Sequence, residues 1–280
     1  MKNNRIKSFF FAAMALCLIG CNRKPQDIQK AVASTEQSAT DQDSDPLTKH
    51  PNLVLVGTPN ETAYVHPDML ADWLLARKPE GFKQGQVCSC KIDGIAIAVS
   101  APHVVNTPGW AHPIPANEAL GQWTSSADGR EISFARLHDA TKLGFRAEAV
   151  EAGEPKENAP AVIKAAQFSI AASGIAVYEA EGVLEKVESS EHLAQFKGFF
   201  GTDTAFGDRL RNRAPSQAFF ALKISERFRE HVRGMSGSLV WQEKKPVGVL
   251  VACVLLPDMP PLAIMEPLLG PAKKALEKMK

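Results

Sequence analysis

Gly234-Met235-Ser236-Gly237-Ser238-Leu239-Val240 sets a serine between glycines just before an apolar, strand-like run. Glycine at position 234 can adopt backbone angles that other residues avoid, so the amides of Gly234 and Ser236 can turn to the same side. Two amides arranged in this way form an oxyanion hole, which stabilises the charge of a tetrahedral intermediate. The stretch therefore predicts a nucleophile at Ser236, with Gly234 and Ser236 as the oxyanion donors.

This motif resembles the Gly-x-Ser-Gly-Gly or Gly-x-Ser-Gly-Ser motif of the chymotrypsin/trypsin-like serine peptidases, in its bacterial form. Upstream, an apolar run ends in Ser100-Ala101-Pro102-His103, which resembles the Thr-Ala-Ala-His of that family. A serine hydroxyl is a poor nucleophile at neutral pH, and an imidazole must accept its proton. The resemblance therefore implies that His103 is the general base.

The third member of such a site is a carboxylate that orients the imidazole. The family pattern is an aspartate that opens Asp-Ile-Ala-Leu-Leu-x-Leu, and the matching run here is Glu131-Ile132-Ser133-Phe134-Ala135-Arg136-Leu137. Asp128 is the alternative acid, reaching in from the preceding loop. We favour Glu131 because the small Ser133 follows it by two residues, whereas the bulky Arg130 follows Asp128 by two.

The order histidine, acid, serine excludes two other classes of serine hydrolase. An α/β-hydrolase elbow would need glycine at position 238 and a histidine after the nucleophile, and the chain has neither. Subtilisin-like enzymes place the acid before the histidine. The other histidines have no such surroundings, and we expect structural roles for them: His50, His66, His112, His138, His192 and His231.

The amino terminus has the pattern of a bacterial lipoprotein signal. Basic residues precede an apolar run of about twelve residues, too short for the ~20 that span a bilayer, and Leu18-Ile19-Gly20-Cys21 resembles a lipobox. We expect residues 1–20 to be removed and Cys21 to carry the lipid. Asn22 follows in place of the aspartate that commonly retains lipoproteins at the inner membrane. This predicts an envelope protein, anchored in the outer membrane and facing the periplasm.

Residues 21–50 are polar and predict a flexible tether, while 51–155 and 156–280 predict two lobes. The resemblance implies an all-β fold of two antiparallel six-stranded β-barrels of chymotrypsin type with a C-terminal helix. The net charge of +1 is evenly distributed, which argues against a nucleic-acid partner. The sequence lacks a zinc-protease motif and Cys-x-x-Cys pairs, so neither a metal nor another cofactor is implied.

Apolar alternation predicts strands over 52–57, 86–91, 94–99, 130–137, 144–150, 166–171, 175–188, 216–224, 238–242 and 247–255. Helical spacing predicts helices over 67–77 and about 265–280. The turn-rich stretch 151–160 predicts the boundary between the lobes.

Two residues bear on substrate specificity. Cys253 lies where the family usually has a glycine that keeps the mouth of the specificity pocket open. Glu230, six residues before Ser236, lies at the position where trypsin-like enzymes carry the residue that selects basic substrate side chains. A charged turn exposed to solvent is the simpler interpretation of Glu230.

Cys88 and Cys90 are two residues apart, which suits a small metal site or a redox pair. We favour the interpretation that both are buried and pack like apolar side chains.

These observations together predict a lipid-anchored serine endopeptidase with a protein or peptide substrate. The first alternative is a protein with the same fold and no catalysis, which serves as a binding module of the envelope. The glutamate at the acid position, Glu131, and the side chain of Cys253 at the mouth of the pocket favour this alternative. The second alternative is a non-enzymatic β-rich surface lipoprotein in which Ser236 and His103 are unrelated.

Overall fold

The computed structural model describes residues 46–57, 84–105, 119–126, 130–169, 174–187, 219–229, 231–232, 234–255 and 260–279. Several predictions made from the sequence fall outside these ranges: the lipidation at Cys21, the tether up to residue 45, the helix over 67–77, and the roles of Asp128 and Glu230. Within the described ranges, no helix combines the length and the apolar character needed to cross a membrane.

The first half of the described chain forms a six-stranded sheet. Its strands are β1 (Leu53–Gly57), β2 (Gln84–Ile92), β3 (Ile95–Ser100), β4 (Thr124–Ser125), β5 (Ser133–Arg136) and β6 (Val150–Glu151). Five of them lie in the order β1-β2-β3-β5-β4, with antiparallel neighbours, and β6 pairs in parallel with β2. A tight turn at Asp93 and Gly94, both with positive φ, joins β2 to β3.

The second half forms a closed six-stranded barrel. Its strands are β7 (Pro160–Ser169), β8 (Gly174–Val187), β9 (Phe219–Lys223), β10 (Leu239–Gln242), β11 (Lys245–Val254) and β12 (Leu262–Pro267). Around the barrel they follow the order β10-β11-β12-β9-β8-β7, and each neighbouring pair is antiparallel. Closure leaves no strand of this barrel with an unpaired edge.

Two short helices matter for the site and for the end of the chain. Helix α1 (Pro102–Val105) follows β3 directly, and its Val104 and Val105 are buried. Helix α2 (Leu269–Lys278) follows β12 and buries Pro271, Ala272 and Ala275. Single turns of 3₁₀ helix occur at Pro46–Lys49, Thr141–Leu143 and Glu226–Phe228.

The hydrophobic core extends from the first sheet into the barrel. Val54, Ile97 and Phe134 of the sheet belong to the same buried cluster as Leu239 and Val249 of the barrel. A second cluster, which includes Ile163, Leu222 and Leu250, contains barrel residues alone. Burying these side chains away from water is the main force that holds the strands together.

The predicted fold class is confirmed: the described chain is all-β, with two six-stranded units and a C-terminal helix. Most predicted strands are present with shifted ends. The strand over 144–150 was wrong, because Gly144 has φ of 80° and caps the 3₁₀ helix before it, and pairing begins only at Val150. The helix predicted to start at about 265 starts at Leu269, because the preceding apolar run is β12.

The last residues of the segment predicted as a tether, 46–50, belong to the described part of the chain. Pro46–Lys49 form a 3₁₀ helix, and Leu47 is buried in the core with 1% of its surface exposed. A buried leucine ties this segment to the domain.

Candidate active site

The turn that carries Ser236 has a backbone that only glycine tolerates at two positions. Gly234 and Gly237 both have φ of 93°, a region that costs other residues conformational energy. A Cβ atom on Gly237 would collide with the backbone of Gln86 and lie 2.6 Å from Ser100 Oγ. The turn therefore packs directly against β2 and the end of β3, and Ser236 at its tip is partly exposed.

Gln86 holds this turn in place, and sequence analysis did not identify it. Its backbone amide donates to the carbonyl oxygen of Ser236 at 2.8 Å. Its side-chain Oε1 accepts from Ser238 Oγ at 2.8 Å, and its Nε2 donates to the carbonyl of Ala166 at 2.7 Å. Ser100 Oγ donates to the carbonyl oxygen of Gln86 at 2.6 Å. Gln86 is completely buried, and it thereby links the turn to β3 and to β7.

The segment after β3 positions His103. Ala101 and Val104 are buried, and the amide of Val104 donates to the carbonyl of Ala101 at 2.9 Å, which begins helix α1. His103 lies between these anchors with its side chain exposed. Ser100, three residues earlier, is the residue that bonds to Gln86. One residue of β2 thus connects the backbone of Ser236 to the strand that leads into His103.

Glu131 lies two residues before the start of β5. Ser133, the first residue of β5, pairs with Ser100, the last residue of β3, in the antiparallel register. The side chain of Glu131 is largely buried, since only 6% of the residue is exposed. The pairing of β3 with β5 therefore places the segments that carry Glu131 and His103 at the same end of the first sheet.

A buried carboxylate of the barrel fixes the backbone at Glu131. Glu266 on β12 is fully buried, and its Oε1 accepts from the amide of Glu131 at 3.2 Å. Its Oε2 pairs with the Arg130 guanidinium at 3.3 Å. This contact crosses from β12 to the first sheet. Like Gln86, Glu266 has a positioning role that the sequence alone did not reveal.

The described cysteines are free thiols, of which Cys88 and Cys90 are buried and Cys253 is partly exposed. Burial raises the pKa of Cys88 and of Cys253 to about 12, and it raises the pKa of Cys90 as well. All three are therefore protonated near neutral pH, and a protonated thiol is neither a nucleophile nor a metal ligand. Among the described residues, no group of three or more His, Cys, Asp or Glu side chains is arranged to hold a metal ion.

No known protein family and no curated protein sequence matches the chain. Solved structures of similar shape include a thermostable serine protease from an extremophilic microorganism, with 8% identity and a TM-score of 0.46, covering 82% of this chain and 97% of that one. A scabies mite inactivated protease paralogue has 9% identity and a TM-score of 0.46, covering 84% and 94%. The tobacco vein mottling virus protease has 7% identity and a TM-score of 0.43, covering 86% and 88%.

Proposed function

We propose that the chain is a serine endopeptidase in which Ser236 is the nucleophile, His103 the general base and Glu131 the residue that orients His103. The observation that carries the proposal is the pair of backbone hydrogen bonds at Gln86, to Ser236 and from Ser100. They hold the glycine-rich turn against the end of β3, three residues before His103. The register of β3 and β5 supports the role of Glu131 at the same place.

In this mechanism Ser236 Oγ attacks the carbonyl carbon of a peptide bond while the His103 ring accepts its proton. The amides of Gly234 and Ser236 donate hydrogen bonds to the oxygen that becomes negatively charged. His103 then gives the proton to the leaving amine, and the acyl group stays on Ser236. A water molecule, deprotonated by His103, attacks this ester, releases the acid and restores the serine.

The proposed place of action is the bacterial envelope. Lipid on Cys21 anchors the mature chain in the outer membrane, and the polar segment that follows extends the domain into the periplasm. Protein or peptide chains of that compartment are the proposed substrates. The lipobox and the polar composition of residues 22–45 support this part of the proposal.

The second candidate function is a binding module with the same fold and no catalysis. Cys253, partly exposed at the predicted mouth of the specificity pocket, favours it, because a side chain there narrows the entrance.

Hydrolysis of fluorescently labelled casein by the purified chain distinguishes the two functions. The peptidase releases small fluorescent peptides, and Ser236→Ala abolishes the release. A wild-type rate equal to that of Ser236→Ala contradicts the proposed peptidase and favours the binding module.

A further inference from the structure

A cavity of about 150 Å³ lies between the first sheet and the barrel. We call it the His50 cavity, and its walls include His50, Asn52, Cys88, Lys164, Leu239 and Trp241. One side is formed by residues 49–52 with Leu53 of β1 and Cys88 of β2, and the other side by residues of β7 and β10. None of them has a role in the proposed catalytic mechanism.

His50 is the unusual residue of this cavity. Only 4% of it is exposed, and neither Nδ1 nor Nε2 has a hydrogen-bond partner. The carbonyls of Lys49 and Tyr178 approach the ring and raise its pKa, but neither completes a hydrogen bond. Among the buried side-chain nitrogen and oxygen atoms of the described residues, these two are the only ones without a partner. Buried polar atoms without a partner in a native structure indicate a bound group that forms the missing hydrogen bonds.

Burial favours the uncharged form of the His50 ring. Desolvation lowers the pKa of His50 below 6.5, Lys164 lowers it further, and Glu179 acts in the opposite direction. A neutral imidazole offers one N–H donor and one acceptor nitrogen. The group that forms hydrogen bonds with His50 can therefore be a donor or an acceptor.

Other features of the cavity exclude two classes of ligand. A metal ion is disfavoured because no group of three or more His, Cys, Asp or Glu side chains among the described residues is arranged to hold one. An anion is disfavoured because the Lys164 ammonium already lies 3.9 Å from Glu179 and 5.1 Å from the centre of the Trp241 ring. The remaining walls are largely apolar, with Leu53, Leu239 and the Trp241 ring among them.

We propose that the His50 cavity binds a small neutral phenol, a single aromatic ring that carries one hydroxyl group. An apolar cavity of about 150 Å³ takes up benzene, so one six-membered ring fits the volume. The hydroxyl can donate to the unprotonated nitrogen of His50 or accept from its N–H. The ring packs against Leu239 and Trp241. This binding site is independent of the proposed peptidase activity.

Calorimetric titration of the purified chain with phenol, toluene and benzoate tests the proposal. We expect saturable one-to-one binding of phenol, about tenfold tighter than toluene, which corresponds to one net hydrogen bond. His50→Leu should remove this difference. His138→Leu, which replaces an exposed histidine outside the cavity, should leave it unchanged.

Nitrogen-15 shifts of the histidine rings in the wild-type chain provide a measurement that does not depend on a variant folding. Phenol should move the His50 ring nitrogens and leave those of His138 in place. Four results would overturn the proposal: no saturable phenol binding, equal affinity for phenol and toluene, tighter binding of benzoate, or unmoved His50 shifts. The first of these would leave ordered water as the group that completes His50.

Discussion

The amide of Gln86 donates a 2.8 Å hydrogen bond to the carbonyl oxygen of Ser236, so a buried residue of the first sheet fixes the backbone of a turn that belongs to the barrel. The Gln86 side chain adds contacts to Ser238 and Ala166. This relationship makes the position of Ser236 depend on how the first sheet packs against the barrel.

Replacing Gln86 with leucine should destabilise the fold and slow any reaction at Ser236. The variant removes the buried donor of the Ala166 carbonyl, while the Ser238 hydroxyl keeps its hydrogen bond to the carbonyl of Met235. The loss should cost about 1–3 kcal/mol in the free energy of unfolding. Denaturant unfolding measures this loss. Gln122→Leu, at an exposed glutamine, is the matched control and should change the unfolding free energy by less than about 0.5 kcal/mol. Equal changes in the unfolding free energy for the two substitutions would contradict a positioning role of Gln86.

Gly237→Ala should lower stability by about 2 kcal/mol or more. The added methyl group meets the backbone of Gln86, and alanine resists the positive φ of this position. Gly270→Ala is the control, because a Cβ atom at Gly270 meets no other atom within 4 Å and alanine is a better helix former. Thermal unfolding of both variants checks the ranking. A Gly237→Ala variant as stable as Gly270→Ala would contradict the close packing of the turn against β2.

Glu131→Gln should preserve the fold and reduce turnover by about 10⁴, because an amide favours the wrong imidazole tautomer. Asp128→Asn should change the rate by less than about tenfold, which corresponds to ~1.4 kcal/mol of barrier. Glu148→Gln, at a carboxylate whose side chain is 93% exposed, controls for the loss of one negative charge. Steady-state rates on one peptide substrate compare the three. The reverse ranking of Glu131 and Asp128 would assign the acid role to Asp128.

Local patterns made the fold and the glycine turn around Ser236 predictable from sequence. The apolar run of β3 ends just before His103, and the glycines around Ser236 mark a turn that other residues cannot form. Both signals lie within a few neighbouring residues. Strand ends were less predictable, because β12 is buried along nearly its whole length and an apolar run of that kind also suits a buried helix.

The positioning residues could not be predicted in this way. Gln86 forms hydrogen bonds with Ser236 and Ala166, and Glu266 accepts one from Glu131. In each of these pairs the two residues are far apart along the chain. The residues next to a glutamine in an apolar strand do not indicate which distant groups it will form hydrogen bonds with. Such roles become visible only when the register of the strands and the packing of the two units are known.

Cys21→Ser should release the protein from the membrane fraction, because residues 22–45 contain almost no large apolar side chain that could hold it there. Fractionation of cells after detergent-free lysis measures the distribution. A serine substitution at Cys17, within the predicted signal, is the control and should leave the protein membrane-bound. Unchanged membrane partition of Cys21→Ser would refute the lipid anchor.

The central claim is that Ser236 is a nucleophile activated by His103, and mass spectrometry after treatment with a fluorophosphonate probe tests it most directly. The account predicts an adduct on the peptide that contains Ser236 in the wild-type chain, and a loss of this adduct in His103→Ala while the variant remains folded. A wild-type chain that stays unlabelled across the neutral and mildly alkaline pH range, or one labelled equally with and without His103, would contradict it.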